Sequence, residues 1–494
     1  MSSPKGRRLK GDAVVRASRL RRQPSKLATV SRQQLEGSQP LAAVPNRKKF
    51  VRLTLWPLVA ATFFMVSGGT YGTEDIVHGA GYGRAILILL ITPLLWSLPT
   101  AFMIGELSSA LPYEGGYYAW VRRAMGNFWG FQEAWLSLVA SIFDMAIYPT
   151  LFVLYLDRLF PWFQQGHRGL YVGLAVVAAC ALLNIAGVKV VSNTSLWLFF
   201  ALSAPFIAIV CIAPFKMGAL AVATKPSTSD VGILTGLLIC MWNYMGWDNA
   251  STIATEVEKP QRTYPRAMLV AVFIVAISYI LPVAAMWMTG LPASSWDTGF
   301  WADIAGFLGG PLLRFGLALG GMISGFGMFN ALVMSYSRLP LAMAQDGMLP
   351  KTFAKLHPKS KSPWVAIVVL ACFWMPCLLL GFERLVTLDI LLYGASLLLE
   401  FLALVVLRFT EPNLNRPFRV PGGLFGAIAI GIPPLLLLGF SVFRSEHELI
   451  LGMSSFVFGM ILIAAGFVAY FVNHALKPAG WSVPRAKKQP QPAA

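Results

Sequence analysis

The sequence predicts an all-α integral membrane protein of twelve transmembrane helices, and three observations carry that prediction. The 494 residues are 56% hydrophobic and only 13% charged, with a mean hydropathy of +0.64. A soluble domain spends about a quarter of its residues on Asp, Glu, Lys and Arg. Half that supply cannot cover a globule of this size, so much of the outside faces hydrocarbon. Secondly, twelve apolar segments follow one another, near residues 54–80, 85–110, 127–157, 169–187, 194–215, 231–255, 267–289, 312–343, 363–381, 385–407, 423–443 and 449–474. Crossing ~30 Å of hydrocarbon at ~1.5 Å per residue takes about 20 residues, a length that all of them reach or nearly reach. Thirdly, with the N-terminus inside, 32 of the 40 Lys and Arg fall in cytoplasmic tails and loops and 8 outside, and without the first tail the ratio is still 18 to 8. An error of one segment would invert every later loop and destroy this asymmetry, so both ends are placed in the cytosol.

A net charge of +18 also raises nucleic acid as a partner. Its distribution answers the question: 14 basic residues lie within residues 1–52, against two acids, Asp12 and Glu36, and the remainder is nearly neutral. Orientation in a lipid bilayer explains the charge without nucleic acid. Residues 1–52, rich in Arg, Lys, Ser and Gln, bury too little apolar surface to offset ordering entropy and read as a disordered basic cytoplasmic tail. A transit peptide or a lipid-binding arm shares that composition, but a basic anchor is the simpler reading. Residues 53–415 then hold ten segments, 416–476 two more, and 477–494 a second cytoplasmic tail.

The first segment is interrupted. WPLVAATFFMV runs into SGGTYGTED, Ser67 to Asp75, with glycines at 68, 69 and 72 that each disfavour helix by about 1 kcal/mol relative to Ala. Open backbone at membrane depth is tolerated only where protein buries it or a cavity is lined by it. Packing of small residues is the alternative, which the carboxylates of Glu74 and Asp75 disfavour; they also suit the N-terminal end of a restarted helix. The second segment ends in Glu106 near the cytosol, where solvent or backbone would satisfy it. In the third, Asp144 stands among apolar residues with Tyr148 one turn away on the same face, and Glu133 lies eleven residues earlier, about 16 Å lower on that face.

The sixth segment is interrupted in turn: Trp242, Asn243, Tyr244, Gly246, Trp247, Asp248, Asn249, Ser251 and Thr252 stand where a plain span would be apolar. Broken segments at matching positions of two halves point to an inverted-repeat transporter with a midplane site. The tenth segment repeats the spacing of the third, with Asp389, Tyr393 and Glu400, the last again near an interface.

An Asp at the centre of a span costs about 2.5–3.5 kcal/mol on insertion scales. No Lys or Arg occupies the middle of any segment, so Glu74, Asp75, Asp144 and Asp248 are protonated, hydrated, hydrogen-bonded or paired with something from outside. A cationic substrate is the simplest such partner; a buried carboxyl that carries the coupling proton is the other role. Trp242, Tyr244 and Trp247 suit either packing or cation–π contact. The five cysteines lie inside apolar runs and the five histidines near segment ends, without metal spacing or a nucleophile constellation, so neither a metal, a cofactor nor an enzyme is expected.

SGGTYGTED, EGGYYAWVRRAMG (114–126), WDNASTIATEVEKPQRTYPRA (247–267) and LAMAQDGMLPKTFAK (341–355) resemble stretches of the amino acid–polyamine–organocation superfamily. The subgroup of polyamine uptake permeases of plants and protists is similar in the glycine-rich stretch before an acidic pair, in an Asp before Tyr-Pro on the third segment, and in a Trp-Asp on the sixth. Here these are Glu74–Asp75, Asp144 with Tyr148–Pro149, and Trp247–Asp248. The resemblance covers the first eight segments and implies a LeuT-like five-plus-five inverted repeat with discontinuous helices 1 and 6, two extra C-terminal helices, and proton-coupled uptake by alternating access.

On that basis the substrate site is expected at Ser67, Gly68, Gly69, Thr70, Trp242, Asn243 and Tyr244, whose backbone is exposed by the breaks. Asp144 takes one ammonium with Tyr148, Trp247 and Tyr393 nearby, Glu74 and Asp75 meet a second amine toward the outside, and Asp144, Asp248 and Glu74 are the candidates for proton coupling. The expected substrates are polyamines, with cationic amino acids next; a permease for neutral or cationic amino acids and a transporter-like nutrient sensor are the alternatives. The expected location is the cell membrane, plasma or inner.

Overall fold

The computed structural model describes residues 53–113, 115–187, 193–220, 233–444, 449–450 and 452–475. The two expected tails, 1–52 and 477–494, lie outside the described residues. Every apolar segment read from the sequence contains helix. In chain order these are α1 (Leu55–Val66), α2 (Glu74–Thr92), α3 (Leu98–Ala110), α4 (Gly116–Met125), α5 (Asn127–Leu159), α6 (Arg168–Ala186), α7 (Asn193–Ile212) and α8 (Ile233–Asn243). There follow α9 (Pro260–Met288), α10 (Trp301–Gln345), α11 (Trp364–Cys377), α12 (Phe382–Thr410), α13 (Gly423–Ala429), α14 (Ile432–Arg444) and α15 (Ser455–Ala475). Among the described residues, nine helical stretches are long and apolar enough to cross a membrane, and α1 and α11 are shorter apolar helices.

Glycine and proline set most of the boundaries. α1 stops at Val66, and Gly68, Gly69 and Gly72 take φ values of 58°, 112° and 85°, which only glycine adopts without strain. Helix resumes at Glu74, with Glu74 and Asp75 in its first turn, where the helix dipole favours negative charge. Gly81 (φ 71°) divides α2, and a π-helical turn over Pro93–Ser97 joins it to α3. Gly310 (φ 71°) divides α10 ahead of Pro311, so the helix begins at Trp301, before the segment expected from residue 312. α8 ends at Asn243, and after Gly246 (φ 85°) the chain continues as a 3₁₀ stretch, Trp247–Glu256. The helix expected from residue 449 starts at Ser455 instead: Leu449–Ile450 and Met453–Ser454 pair as short antiparallel strands, β1 and β2.

The centre of the bundle is α5, packed against α10 and α12, while α9 packs on α1 and α3 and α2 on α8. Small residues set the α5–α10 distance: a Cβ on Gly321 would lie 2.5 Å from the Tyr155 ring, and one on Gly325 2.7 Å from the Tyr148 carbonyl. Close backbone approach through glycine is the usual means of joining helices where lipid offers no hydrophobic driving force between them. Large apolar side chains remain exposed on the outside, among them Leu87, Leu90, Phe273, Leu281, Leu436 and Val468. A belt of this kind faces hydrocarbon.

Two expectations about charge are corrected. Glu106 does take a backbone amide, that of Val420 at 2.7 Å, but it is fully buried and, in place of solvent, meets Arg408 Nε at 2.8 Å and Nη2 at 2.5 Å and Arg416 at 3.1 Å. Arg408 stands in the last turn of α12, and the chain after it folds back over the end of α3 and brings Arg416 and Val420. Glu400 is likewise fully buried, and neither of its oxygens has a hydrogen-bond partner among the described residues.

Candidate functional site

The two helix breaks face a polar cavity at mid-height of α5. Its walls are Met65 and Val66 at the end of α1, Asp144 and Tyr148 on α5, Trp242, Met245, Gly246 and Asn249 around the second break, Tyr336 on α10, and Asp389 and Tyr393 on α12. The open space is about 10 Å³, room for about one water molecule. The side chains therefore close around the site.

Asp144 is held from both sides. Tyr148 donates to Oδ1 at 2.7 Å and Tyr336 to Oδ2 at 3.1 Å. The i to i+4 spacing of Asp144 and Tyr148 places the first bond within one helix; the second ties α5 to α10. Asp248 accepts from Tyr393 Oη at 2.5 Å, and the same phenol oxygen accepts the Gly246 amide at 3.2 Å. Tyr393 thus bridges α12 to the broken segment. Asp389, one turn below Tyr393 in sequence, is 2% exposed, lines the cavity, and has no hydrogen bond among the described residues. Trp242 and Tyr148 have ring centroids 6.3 Å apart, and Phe382 meets Trp242 edge-on at 5.6 Å. The lining contains two carboxylates and no Lys or Arg.

Of the residues expected at the site, Asp144, Tyr148, Trp242 and Tyr393 line the cavity, and Asp248 reaches it through Tyr393. Others support the breaks. Ser67 Oγ bonds within its own turn to Gly69, Gly68 O accepts Ser324 Oγ at 2.6 Å, and Thr70 donates to Ser278 O at 2.8 Å. Asn243 donates to Gly72 O at 3.2 Å and so ties one break to the other, and Tyr244 caps Leu89 O at 2.9 Å. Trp247 is fully buried with its indole nitrogen on Tyr244 O at 2.7 Å. Glu74 and Asp75 form a separate acidic group: Glu74 Oε1 takes the Tyr155 phenol and the Gly299 amide (3.0 Å), and Asp75 takes Thr298 at 2.7 Å. Tyr155 is eleven residues beyond Asp144 on α5, so this group lies about 16 Å from the cavity along the helix.

Asp389 is not among the residues expected at the site, although it lines the cavity. The repeated Asp-to-Tyr spacing on segments three and ten was the available signal. Tyr336, Met65 and Met245 had none, because an aromatic or a methionine within an apolar run looks the same whether it faces a cavity or a neighbour.

Broken helices whose ends converge on an acid-lined, nearly closed cavity inside an apolar bundle define a membrane transporter. The chain belongs to the amino acid permease family, whose model matches residues 59–465. It is 34% identical over 433 residues to the polyamine transporter RMV1 of Arabidopsis thaliana, covering 86% of each chain. It is 33% identical over 413 residues to the polyamine transporter PUT1 of Oryza sativa subsp. japonica, covering 83% of this chain and 77% of that one. The serine/threonine exchanger SteT of Bacillus subtilis is 24% identical over 442 residues, with 85% and 94% covered. The family and subgroup resemblance read from the motifs is thereby borne out.

Proposed function

We propose that the protein imports polyamines, with cationic amino acids as secondary substrates, by proton-coupled alternating access across the cell membrane. In this reading twelve spans form a five-plus-five inverted repeat followed by two further helices, and both termini are cytosolic. The observation that carries the substrate class is the cavity lining, with Asp144 and Asp389 among aromatic rings and no basic side chain. A polyamine has ammonium groups and no carboxylate, so acids can surround it and Trp242 and Tyr148 can face its cationic and methylene parts. The relatives' names support the same class. An amino acid would need free backbone donors for its carboxylate, whereas Gly246 N is engaged by Tyr393 and Gly69 N by Ser67.

Asp144 takes one ammonium at mid-height and Tyr393 passes the charge of Asp248 to the cavity edge. Glu74 and Asp75 form an outer station for cations in the open form. Purified protein in liposomes, given labelled putrescine or spermidine outside and a pH gradient with the outside acidic, will accumulate label. Asp144→Asn will abolish accumulation and Glu74→Gln will reduce it. Failure with every polyamine, or competition by leucine and arginine but not by spermidine, overturns the substrate; uptake indifferent to both substitutions overturns the residue assignment.

A further inference from the structure

Below the cavity, α5 and α12 carry matching polar stripes. On α5 they are Glu133, Ser137, Ser141 and Asp144; on α12 they are Asp389, Tyr393, Ser396 and Glu400. Steps of three and four residues keep each set on one helix face. The helices run antiparallel in sequence terms, since Glu133 precedes Asp144 by eleven residues and Glu400 follows Asp389 by eleven. Both glutamates therefore fall on the same level, about 16 Å from the aspartates.

The structure joins the stripes there. Ser396 Oγ donates to Glu133 Oε1 at 2.6 Å, Ser137 Oγ to the same oxygen at 3.2 Å, and the two hydroxyls are 3.0 Å apart. Glu133 Oε2 and both oxygens of Glu400 are buried without a hydrogen-bond partner, and both residues are 0% exposed. No ion pair reaches either carboxyl group among the described residues. The titratable groups that face the pair are Tyr117 from α4, Asp248 from the 3₁₀ stretch and Tyr393 from α12; all are neutral or acidic. α15 covers the level with Gly466, packed on Gln132 and Trp135, and brings no charge.

Three carboxyl oxygens left bare in a closed space are a structural extravagance unless the pair binds something. Leaving such acceptors unmade costs about 1–3 kcal/mol each, and more when they are charged. Two ionised carboxylates cannot share a dry site without a cation. Resting on the reading of the protein as a coupled importer, we propose that Glu133 and Glu400 are a proton-holding pair, distinct from the substrate site and from the acids expected to carry the proton. In the closed form one proton resides on a carboxyl oxygen of the pair. Opening of the α4 end admits water, the O–H bond breaks and the proton passes to water on the cytosolic side; a proton taken up from the outer side re-forms the O–H bond before the site is dry again, so the doubly ionised pair exists only while it is wet. The polar stripe through Tyr393 to Asp389 links its charge to the cavity.

The test uses full-length protein. Infrared difference spectra between acid and alkaline pH, recorded without substrate, will show a protonated-carboxyl C=O band that Glu400→Gln removes and Glu133→Gln removes or shifts. In liposomes each variant, and the double variant, will keep spermidine binding by thermal shift and spermidine exchange, and lose the response of net uptake to a pH gradient. A band unchanged in both single variants overturns the proposal, as does gradient-driven accumulation that survives in the double variant, or a sodium gradient driving uptake through Glu400. If wild-type protein transports no polyamine, the substrate reading fails, while the infrared band still decides the proton site. If Glu400→Gln does not fold, Glu133→Gln and the wild-type band decide it.

Discussion

Asp144 and Asp389 face one cavity under different terms. Asp144 has a phenol on each oxygen, at 2.7 and 3.1 Å, whereas the Asp389 carboxyl has no hydrogen bond among the described residues. Each Asp144 oxygen keeps a lone pair beside its phenol, so Asp144 can tie α5 to α10 and still take an ammonium in the proposed transport, whereas Asp389 would have the incoming ammonium as its partner. The sign of its effect on stability follows. Without substrate, two carboxyl groups in one nearly dry cavity either repel or hold a proton between them, so Asp389→Asn removes that conflict and keeps the shape. With substrate, it removes a charge-assisted contact worth about 1.5–3 kcal/mol. The expected outcome is a melting temperature of the free protein at or above wild type together with at least about tenfold weaker spermidine binding. Both are read from thermal shift in detergent across a substrate series. A fall in stability with affinity unchanged would place Asp389 in packing and not in the site.

At the scale of elements, the join between α3, α12 and the chain that follows α12 rests on one carboxylate. Glu106 and Arg408 are 0% and 2% exposed at the side chain, and Arg416 is 5% exposed. Removing one partner of a buried pair costs about 3–5 kcal/mol, because the other charge is left without compensation. Glu106→Gln strands two guanidinium groups and will be strongly destabilising. Arg408→Met will cost less, since Glu106 keeps Arg416 and the Val420 amide. Arg416 in turn retains the carbonyls of Leu407, Glu411 and Leu414. In the double variant Glu106→Met with Arg408→Met, these bonds will hold the loop and stability will exceed that of Glu106→Gln. Denaturant unfolding in detergent orders the three. The opposite order would mean that Arg408, and not Glu106, is the hub. Hydropathy did not reveal this join. It placed Glu106 at the edge of a span, and only the fold of residues 411–420 turned that edge into an interior. The two helix breaks were legible, by contrast, because Gly68, Gly72 and Gly246 need backbone conformations that other residues resist, whereas the division at Gly310 was not.

Across the whole molecule, what the sequence disclosed and what it withheld divide along the same line. Asp144, Tyr148 and Trp242 stood out as polar or bulky groups in apolar runs, and each proved to line the cavity. That Glu74 and Asp75 would meet Tyr155 and Thr298 away from the cavity depends on how α2 meets α5, which no local pattern encodes. Nor could it be read that the bundle is tied at both ends. At the α4 end, cytosolic in the proposed topology, Arg122 pairs with Asp346, Tyr118 donates to Asp346 at 2.9 Å, and Arg123 meets Glu411 at 2.7 Å. At the other end, Arg158 holds Asp297 at 2.5 Å and Asp303 at 2.8 Å, and Arg314 holds Asp303 at 3.0 Å. With both ends tied around a cavity of about 10 Å³, the structure is closed on both sides, which in the proposed transport cycle is the occluded form. Asp346 is 34% exposed, so its pair contributes no more than about 1 kcal/mol to closure. An equilibrium between forms responds to that much by about fivefold, since 1.4 kcal/mol is tenfold. Asp346→Ala is therefore expected to favour the form open at the α4 end by a few-fold without unfolding it. The readout is a cysteine introduced at Ala403, buried on α12 beyond Glu400, in a background free of the native cysteines. Its labelling by a water-soluble maleimide will accelerate several-fold in Asp346→Ala and slow or stay unchanged in Asp297→Ala, which loosens the opposite end. Equal acceleration by both would show that the two sets of ion pairs do not act as opposing gates.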